Sequence, residues 1–122
     1  MTDDLEAQEK SVQEMLAEYW QDDWMAKLRG HSRAHQRVNA AIARYFSGLK
    51  QLGPERDKVK ILETMRSLFE ELDRVNEAFG GGLLETDERE LLVPEIIQAA
   101  KTAGLDVDEF EYGDPTLSFR TF

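Results

Sequence analysis

The stretch between Gly53 and Gly80 constrains the fold of this chain most strongly. Pro54 suits the first position of a helix, because the N–H that proline lacks would have no helical partner there. Three consecutive glycines, beginning at Gly80, favour departure from the helix axis. The stretch predicts a helix over residues 54–79 with a stripe wide enough to contact several neighbours. The apolar residues that recur at helical spacing are Ile61, Leu62, Met65, Leu68, Phe69, Leu72, Val75 and Phe79.

The same periodicity predicts three more helices, over residues 3–29, 32–52 and 87–103. Gly30 and Ser32 suit a helix end and an N-cap, although one long kinked helix across both segments is the alternative. Short connections between successive helices favour an antiparallel arrangement. The chain is therefore expected to form one domain of about four antiparallel helices.

The fourth predicted helix carries two further signals. Pro94 lies inside it, removes one backbone hydrogen bond and predicts a kink near Val93. Gly104 is expected to end the helix, with Leu105 packing back in a Schellman-type cap.

The C-terminal segment has a different pattern. Residues 107–122 alternate roughly between apolar and polar around a turn cluster that begins at Gly113. We expect a small C-terminal β-hairpin or edge strand here, with Leu83 and Leu84 as a candidate third strand. The predicted fold class is therefore mainly α, a helix bundle with a small β element.

Composition excludes several classes of protein. The 122 residues contain no cysteine, so disulfides and thiolate metal sites are excluded. The acidic N-terminus is unlike a targeting signal, and no apolar run is long enough to suggest a membrane span. We therefore expect a cytoplasmic protein without a membrane partner.

The charge of the chain is strongly segregated. The formal net charge is −10, and it follows an acidic, basic, acidic order with boundaries near Lys27 and Lys60. One interpretation is that the basic helix lies between acidic neighbours and forms screened surface pairs with them. The other is that the acidic ends recruit a basic partner. Direct nucleic-acid binding is not expected, because a polyanion would be repelled by this net charge.

Few residues suggest catalytic chemistry. His31 and His35 have the spacing that places two side chains on one helix face, but arginines at 29, 33 and 37 oppose a divalent ion there. The triple glycine lacks the residues that complete a phosphate-binding loop. No cofactor, metal or catalytic residue is predicted.

One enzymatic alternative rests on carboxylates. The pairs Glu70–Asp73 and Glu85–Glu88 have the spacing with which all-helical hydrolases hold Mg²⁺ on facing helices. The full pattern of paired glutamates on two long helices is absent.

The favoured function is a non-enzymatic interaction protein with an acidic, aromatic-bearing surface. An immunity- or antitoxin-type inhibitor of a basic protein is one concrete form of this hypothesis. A structural protein that self-associates as a homodimer is another alternative. The two tryptophans are also candidates for the core. If they are exposed instead, they would form an interface site. The predicted partner-binding residues are Trp20, Asp22, Asp23, Trp24, Glu85, Asp87 and Glu88.

Overall fold

Four α-helices make up most of the described chain. The computed structural model describes residues 2–22, 32–52, 57–78, 86–110, 113–116 and 119. The prediction of a mainly helical chain with four helices is confirmed. The helices are α1 (Thr2–Asp22), α2 (Ser32–Leu52), α3 (Lys58–Ala78) and α4 (Thr86–Ala103), followed by the 3-10 helix Val107–Glu109.

The helices share one hydrophobic core, and each contributes the apolar stripe that its sequence predicts. Tyr45, Phe46 and Phe69 are the largest of the fully buried side chains. The arrangement is consistent with a helix bundle, in which amphipathic faces are buried against one another. The buried residues that recur at helical spacing include Leu5, Val12, Leu16, Val38, Ile42, Leu49, Ile61, Met65, Leu68, Leu72 and Val75.

Helices α2 and α4 occupy the middle of the arrangement. Each packs against both α1 and α3, and the two also touch one another. Two contacts give the relative direction of α2 and α3: Arg37 pairs with Glu71, and Gly48 packs against Thr64. Because the partner number falls as the α2 number rises, these two helices are antiparallel, as predicted.

The start of α3 differs from its prediction. Asp57 is not helical, and its Oδ1 accepts the backbone N–H groups of Val59 and Lys60 at 3.0 and 3.3 Å. Asp57 is therefore the N-cap, because its carboxylate satisfies donors that lack helical partners. The expected start at Pro54 is wrong by several residues. The connection itself, residues 53–56, lies outside the described chain.

The end of α4 confirms the predicted cap. Gly104 has a φ of +114°, and its N–H donates to the carbonyl of Lys101 at 2.9 Å. The N–H of Leu105 donates to Ala100 at 2.9 Å, and the Leu105 side chain is buried. These are the two hydrogen bonds of a Schellman motif. The helix also continues through Pro94, and the kink expected there stays a prediction.

The predicted C-terminal β-hairpin is not supported, and its beginning is wrong. Asp106 Oδ1 accepts the N–H of Asp108 at 3.1 Å, and Phe110 N–H donates to Val107 at 3.1 Å. These bonds form the 3-10 helix where a strand was expected. The spacing of Val107 and Phe110 fits this helix, because positions i and i+3 share one side of it.

The described residues contain no strand. Several positions of the predicted hairpin, 111–112, 117–118 and 120–122, lie outside them, as do Leu83 and Leu84.

Candidate functional site

A cleft opens between α2 and α3 on one side of the bundle. Its volume is about 280 Å³. This is close to the lower end of the volumes found for small-molecule sites. Most of its lining residues are polar or charged, and the apolar ones are buried. It is lined by Ala41, Arg44 and Tyr45 from α2 and by Thr64, Ser67, Leu68, Glu71 and Arg74 from α3.

Residue size explains where the cleft begins. At one end the helices approach closely, because Gly48 has no side chain to keep α3 away. A Cβ at this position would lie only 2.9 Å from Thr64 Cγ2. Ala41 and Ser67 are small and leave the space between the helices open.

The inner wall of the cleft is held rigidly by Tyr45. This side chain is 2% exposed, and its hydroxyl donates a 2.7 Å hydrogen bond to the carbonyl of Ile96 on α4. The bond provides the partner that a buried hydroxyl requires. Burial raises the pKa of Tyr45 far above its ordinary value of 10, because the ionised form would be desolvated.

Glu71 joins two arginines at the rim. Its Oε2 accepts from Arg74 Nε at 3.1 Å and Nη2 at 2.8 Å, and its Oε1 accepts from Arg37 Nη2 at 3.4 Å. The hydrogen bonds from Arg74 hold the pKa of Glu71 below its ordinary value. Partial burial raises this pKa, and the hydrogen bond from Arg37 lowers it further. The carboxylate therefore stays ionised and orients both guanidinium groups.

Two further groups in the cleft have free hydrogen-bonding capacity. Arg44 makes no ion pair among the described residues, and its one hydrogen bond is a long 3.5 Å contact to the Ala40 carbonyl. Ser67 is exposed, and its hydroxyl makes no hydrogen bond to a described residue. Among the lining residues, Arg44 and Arg74 outnumber the one carboxylate, Glu71, so the lining is positive, opposite in sign to the whole chain.

The basic helix α2 also pairs with both of its acidic neighbours. Lys50 Nζ lies 3.0 Å from Glu9 Oε1 on α1, and Arg37 reaches Glu71 on α3. The interpretation in which the basic segment lies between acidic helices is therefore confirmed for these pairs. The outer face of α1 keeps its acids exposed, and these are Asp4, Glu6, Glu14 and Glu18.

The predicted partner-binding residues cannot be compared with this geometry, because none has a described side chain. They fall at two helix ends and in the adjoining segments. Trp20 and Asp22 belong to the end of α1, and Asp87 and Glu88 to the first turn of α4. The residues outside the described chain are Asp23, Trp24 and Glu85.

The metal-site alternatives receive no support from the described residues. No group of three or more histidine, aspartate or glutamate side chains lies where it could hold a metal ion in this part of the chain. Glu70 and Asp73 both lie on α3. Glu85 and the side chain of Glu88 lie outside the part of the chain that the structure describes. His35 lies on α2, whereas His31 is also outside, so their predicted proximity stays untested.

A second cavity lies where the C-terminal segment packs against α3. It has a volume of about 390 Å³ and includes Val59, which is 62% exposed. Lys58 pairs with Glu109 and lies 5.5 Å from the ring centre of Phe110. Arg66 lies 5.3 Å from the ring centre of Phe119, and both cation–π contacts attach the segment to α3.

The arginine cleft was not predicted, although its sequence signal exists. Arg37 and Arg44 are seven residues apart and therefore share one side of a helix. On α3, polar residues recur at intervals of three and four along the edge of the apolar stripe, as Thr64, Ser67, Glu71 and Arg74. The missing information was that these two edges face one another.

No described helix combines the length and the apolar character that crossing a membrane requires. Comparison with protein-family models, curated proteins and solved structures found no match for this chain. Interpretation of its function therefore depends on the geometry and charge of its own residues.

Proposed function

We propose that the protein is a non-enzymatic interaction protein that binds a basic partner protein through an acidic surface. The observation that carries this proposal is the exposed outer face of α1. Four carboxylates lie on it, against the single base Lys10. The carboxylates are those of Asp4, Glu6, Glu14 and Glu18.

The ion pairs inside the bundle strengthen this argument. Glu9, on the inner edge of α1, is neutralised by Lys50, whereas the outer carboxylates form no ion pair with a base of the described residues. An unneutralised face of one sign accelerates the encounter with an oppositely charged protein and selects against like-charged ones. An inhibitor of a basic protein, of the immunity or antitoxin type, would use such a face.

The predicted tryptophan and aspartate cluster follows the residues of this surface in the sequence. Trp20 and Asp22 follow directly on α1, and Asp23 and Trp24 come next in the sequence. Aromatic residues beside charges are typical of the strong contacts in protein interfaces. We therefore include these four residues in the proposed binding surface, together with Glu85, Asp87 and Glu88.

The test is affinity capture from the native cell extract with the tagged protein at low and high salt. We expect a basic protein to be retained at low salt and released at high salt, because screening weakens exposed charge contacts. The variant E14K/E18K is expected to lose this protein, and so is D22K/D23K. The control E63K/E70K makes the same charge change on exposed positions of α3 and is expected to retain it.

Two results would contradict the proposal. Equal capture by E14K/E18K and by the α3 control would show that α1 is not the binding surface. Capture that does not depend on salt would exclude the electrostatic mechanism. Circular dichroism of each variant establishes that the helices are intact.

A further inference from the structure

We propose that the cleft between α2 and α3 binds a small phosphate monoester. This site lies away from the acidic outer face of α1, so the inference does not depend on the proposed function. It rests on three features of the cleft: unpartnered donors, a carboxylate already neutralised, and space beside them for the ester group.

The donors suit a phosphoryl group. Arg44 makes no ion pair among the described residues, and the Ser67 hydroxyl has no described partner. Arg74 uses Nε and Nη2 for Glu71, and its Nη1 makes no hydrogen bond to a described residue. Guanidinium groups bind phosphate through strong charge-assisted hydrogen bonds, and the three terminal oxygens of a monoester accept several donors at once.

Glu71 favours this site instead of opposing it. Both of its oxygens accept hydrogen bonds from arginines, and its side chain is only 17% exposed. The carboxylate is thereby neutralised and holds Arg37 and Arg74 near the rim. Prior orientation of a binding group lowers the entropy cost of binding.

The cleft also has room for a small uncharged group on the ester. Ala41, Leu68 and Tyr45 border the same space of about 280 Å³ and carry no charge, and they are themselves only 2–3% exposed. Free phosphate would leave much of this space empty, whereas a phosphate ester of modest size would fill more of it.

The experiment is a titration of the ¹⁵N-labelled protein with phenyl phosphate, followed by amide chemical shifts at constant ionic strength. Benzoate and benzyl alcohol serve as carboxylate and neutral counterparts. We expect saturable shifts at the amides of residues 41–45 and 64–74, with phenyl phosphate the tightest binder. R44Q and R74Q should each weaken binding by about tenfold or more, because each removes a charged hydrogen-bond donor.

R66Q is the matched control, since Arg66 also lies exposed on α3 but contacts Phe119 outside the cleft. We expect it to change affinity by less than about twofold, as for a distant screened charge. Equal weakening by R66Q and R44Q would overturn the proposal, and so would shifts that do not saturate. Benzoate binding as tightly as phenyl phosphate would overturn the assignment to phosphate.

Discussion

The outer face of α1 and the cleft between α2 and α3 use charge in opposite ways. On α1, four carboxylates are exposed on a convex helix surface and only Lys10 opposes them. In the cleft, Arg44 and Arg74 line a concave space, and both oxygens of the one lining carboxylate, Glu71, accept hydrogen bonds from arginines. A chain of net charge −10 thus presents a positive cleft as well as an acidic face, and the net charge alone describes neither.

Both regions are built on the same hydrophobic core. Shortening one core side chain on α1 or on α3 tests this and is expected to have the largest effect. Leu16 on α1 and Leu72 on α3 are 1% and 0% exposed. Replacing either by alanine is expected to lower the free energy of unfolding by about 2–5 kcal/mol, since both leave a cavity. Urea unfolding followed by circular dichroism measures the effect.

Glu18→Gln, on the exposed side of α1, is the control for Leu16→Ala. It should change stability by less than about 0.5 kcal/mol. If Leu16→Ala were equally harmless, α1 would not belong to the common core.

The close contact beside the cleft is tested by Gly48→Ala. The new Cβ would lie 2.9 Å from Thr64 Cγ2, so we expect a loss of about 1–3 kcal/mol from overpacking. In a Thr64→Ala background the obstacle is gone, and the same change should gain up to about 1 kcal/mol from helix propensity. Urea unfolding of the four proteins gives the coupling energy, and equal effects in both backgrounds would refute the contact.

The hydrogen bond that fixes the inner wall of the cleft is tested by Tyr45→Phe. Loss of the buried hydrogen bond to Ile96 is expected to cost about 1 kcal/mol. Because burial raises the pKa of Tyr45, its neutral form stabilises the fold below the ordinary pKa of 10. That contribution is lost as pH rises above 10. The stability of wild type should therefore fall more steeply above pH 10 than the stability of Tyr45→Phe.

Thermal unfolding between pH 8 and 11 measures the difference between these two proteins. Parallel stability curves for wild type and Tyr45→Phe would show that Tyr45 ionises as readily in the folded state as in the unfolded chain.

The smallest effects are expected when the two ion pairs of α2 are removed one at a time. Glu71→Gln should cost more than Glu9→Gln, because Glu71 accepts from two arginines and Glu9 from one lysine. Both losses should stay near or below about 1 kcal/mol, since the basic partners are partly exposed. The effect of Glu71 also depends on pH. Because its pKa is lowered in the folded state, the ionised carboxylate stabilises the fold at pH values above the ordinary glutamate pKa.

That stabilisation is lost as pH falls through the lowered pKa of the folded state. The stabilities of wild type and Glu71→Gln in acid should therefore begin to converge as pH falls below the ordinary glutamate pKa of about 4.3. A larger loss for Glu9→Gln would mean that the contact between α1 and α2 is the stronger one.

Much of the fold could be predicted because helical periodicity is a local signal. The stripes of Leu16, Phe46 and Phe69 identify buried faces, and Gly104 identifies a helix end. The prediction was wrong where two local signals compete. Pro54 suggested a helix start that the Asp57 cap displaces, and alternating residues after Val107 suggested a strand where Asp106 caps a 3-10 helix.

The cleft could not be predicted from local patterns. It depends on Arg44 and Arg74, thirty residues apart, and on the small side chains of Ala41 and Ser67 on the two facing helices. In the sequence, Arg44, Ser67 and Arg74 are each typical of a surface position. Only the antiparallel packing of α2 on α3 brings them to one space.

One measurement tests the separation of the two surfaces most directly. The ¹⁵N-labelled protein is titrated at constant ionic strength with phenyl phosphate and, separately, with a short oligolysine peptide, and the shifted amides are mapped. We predict two distinct sets, with phenyl phosphate acting on residues 41–45 and 64–74 and oligolysine on residues 4–18. If both ligands shifted the same amides, or if oligolysine shifted the cleft, the division into an acidic face and a cationic cleft would be contradicted.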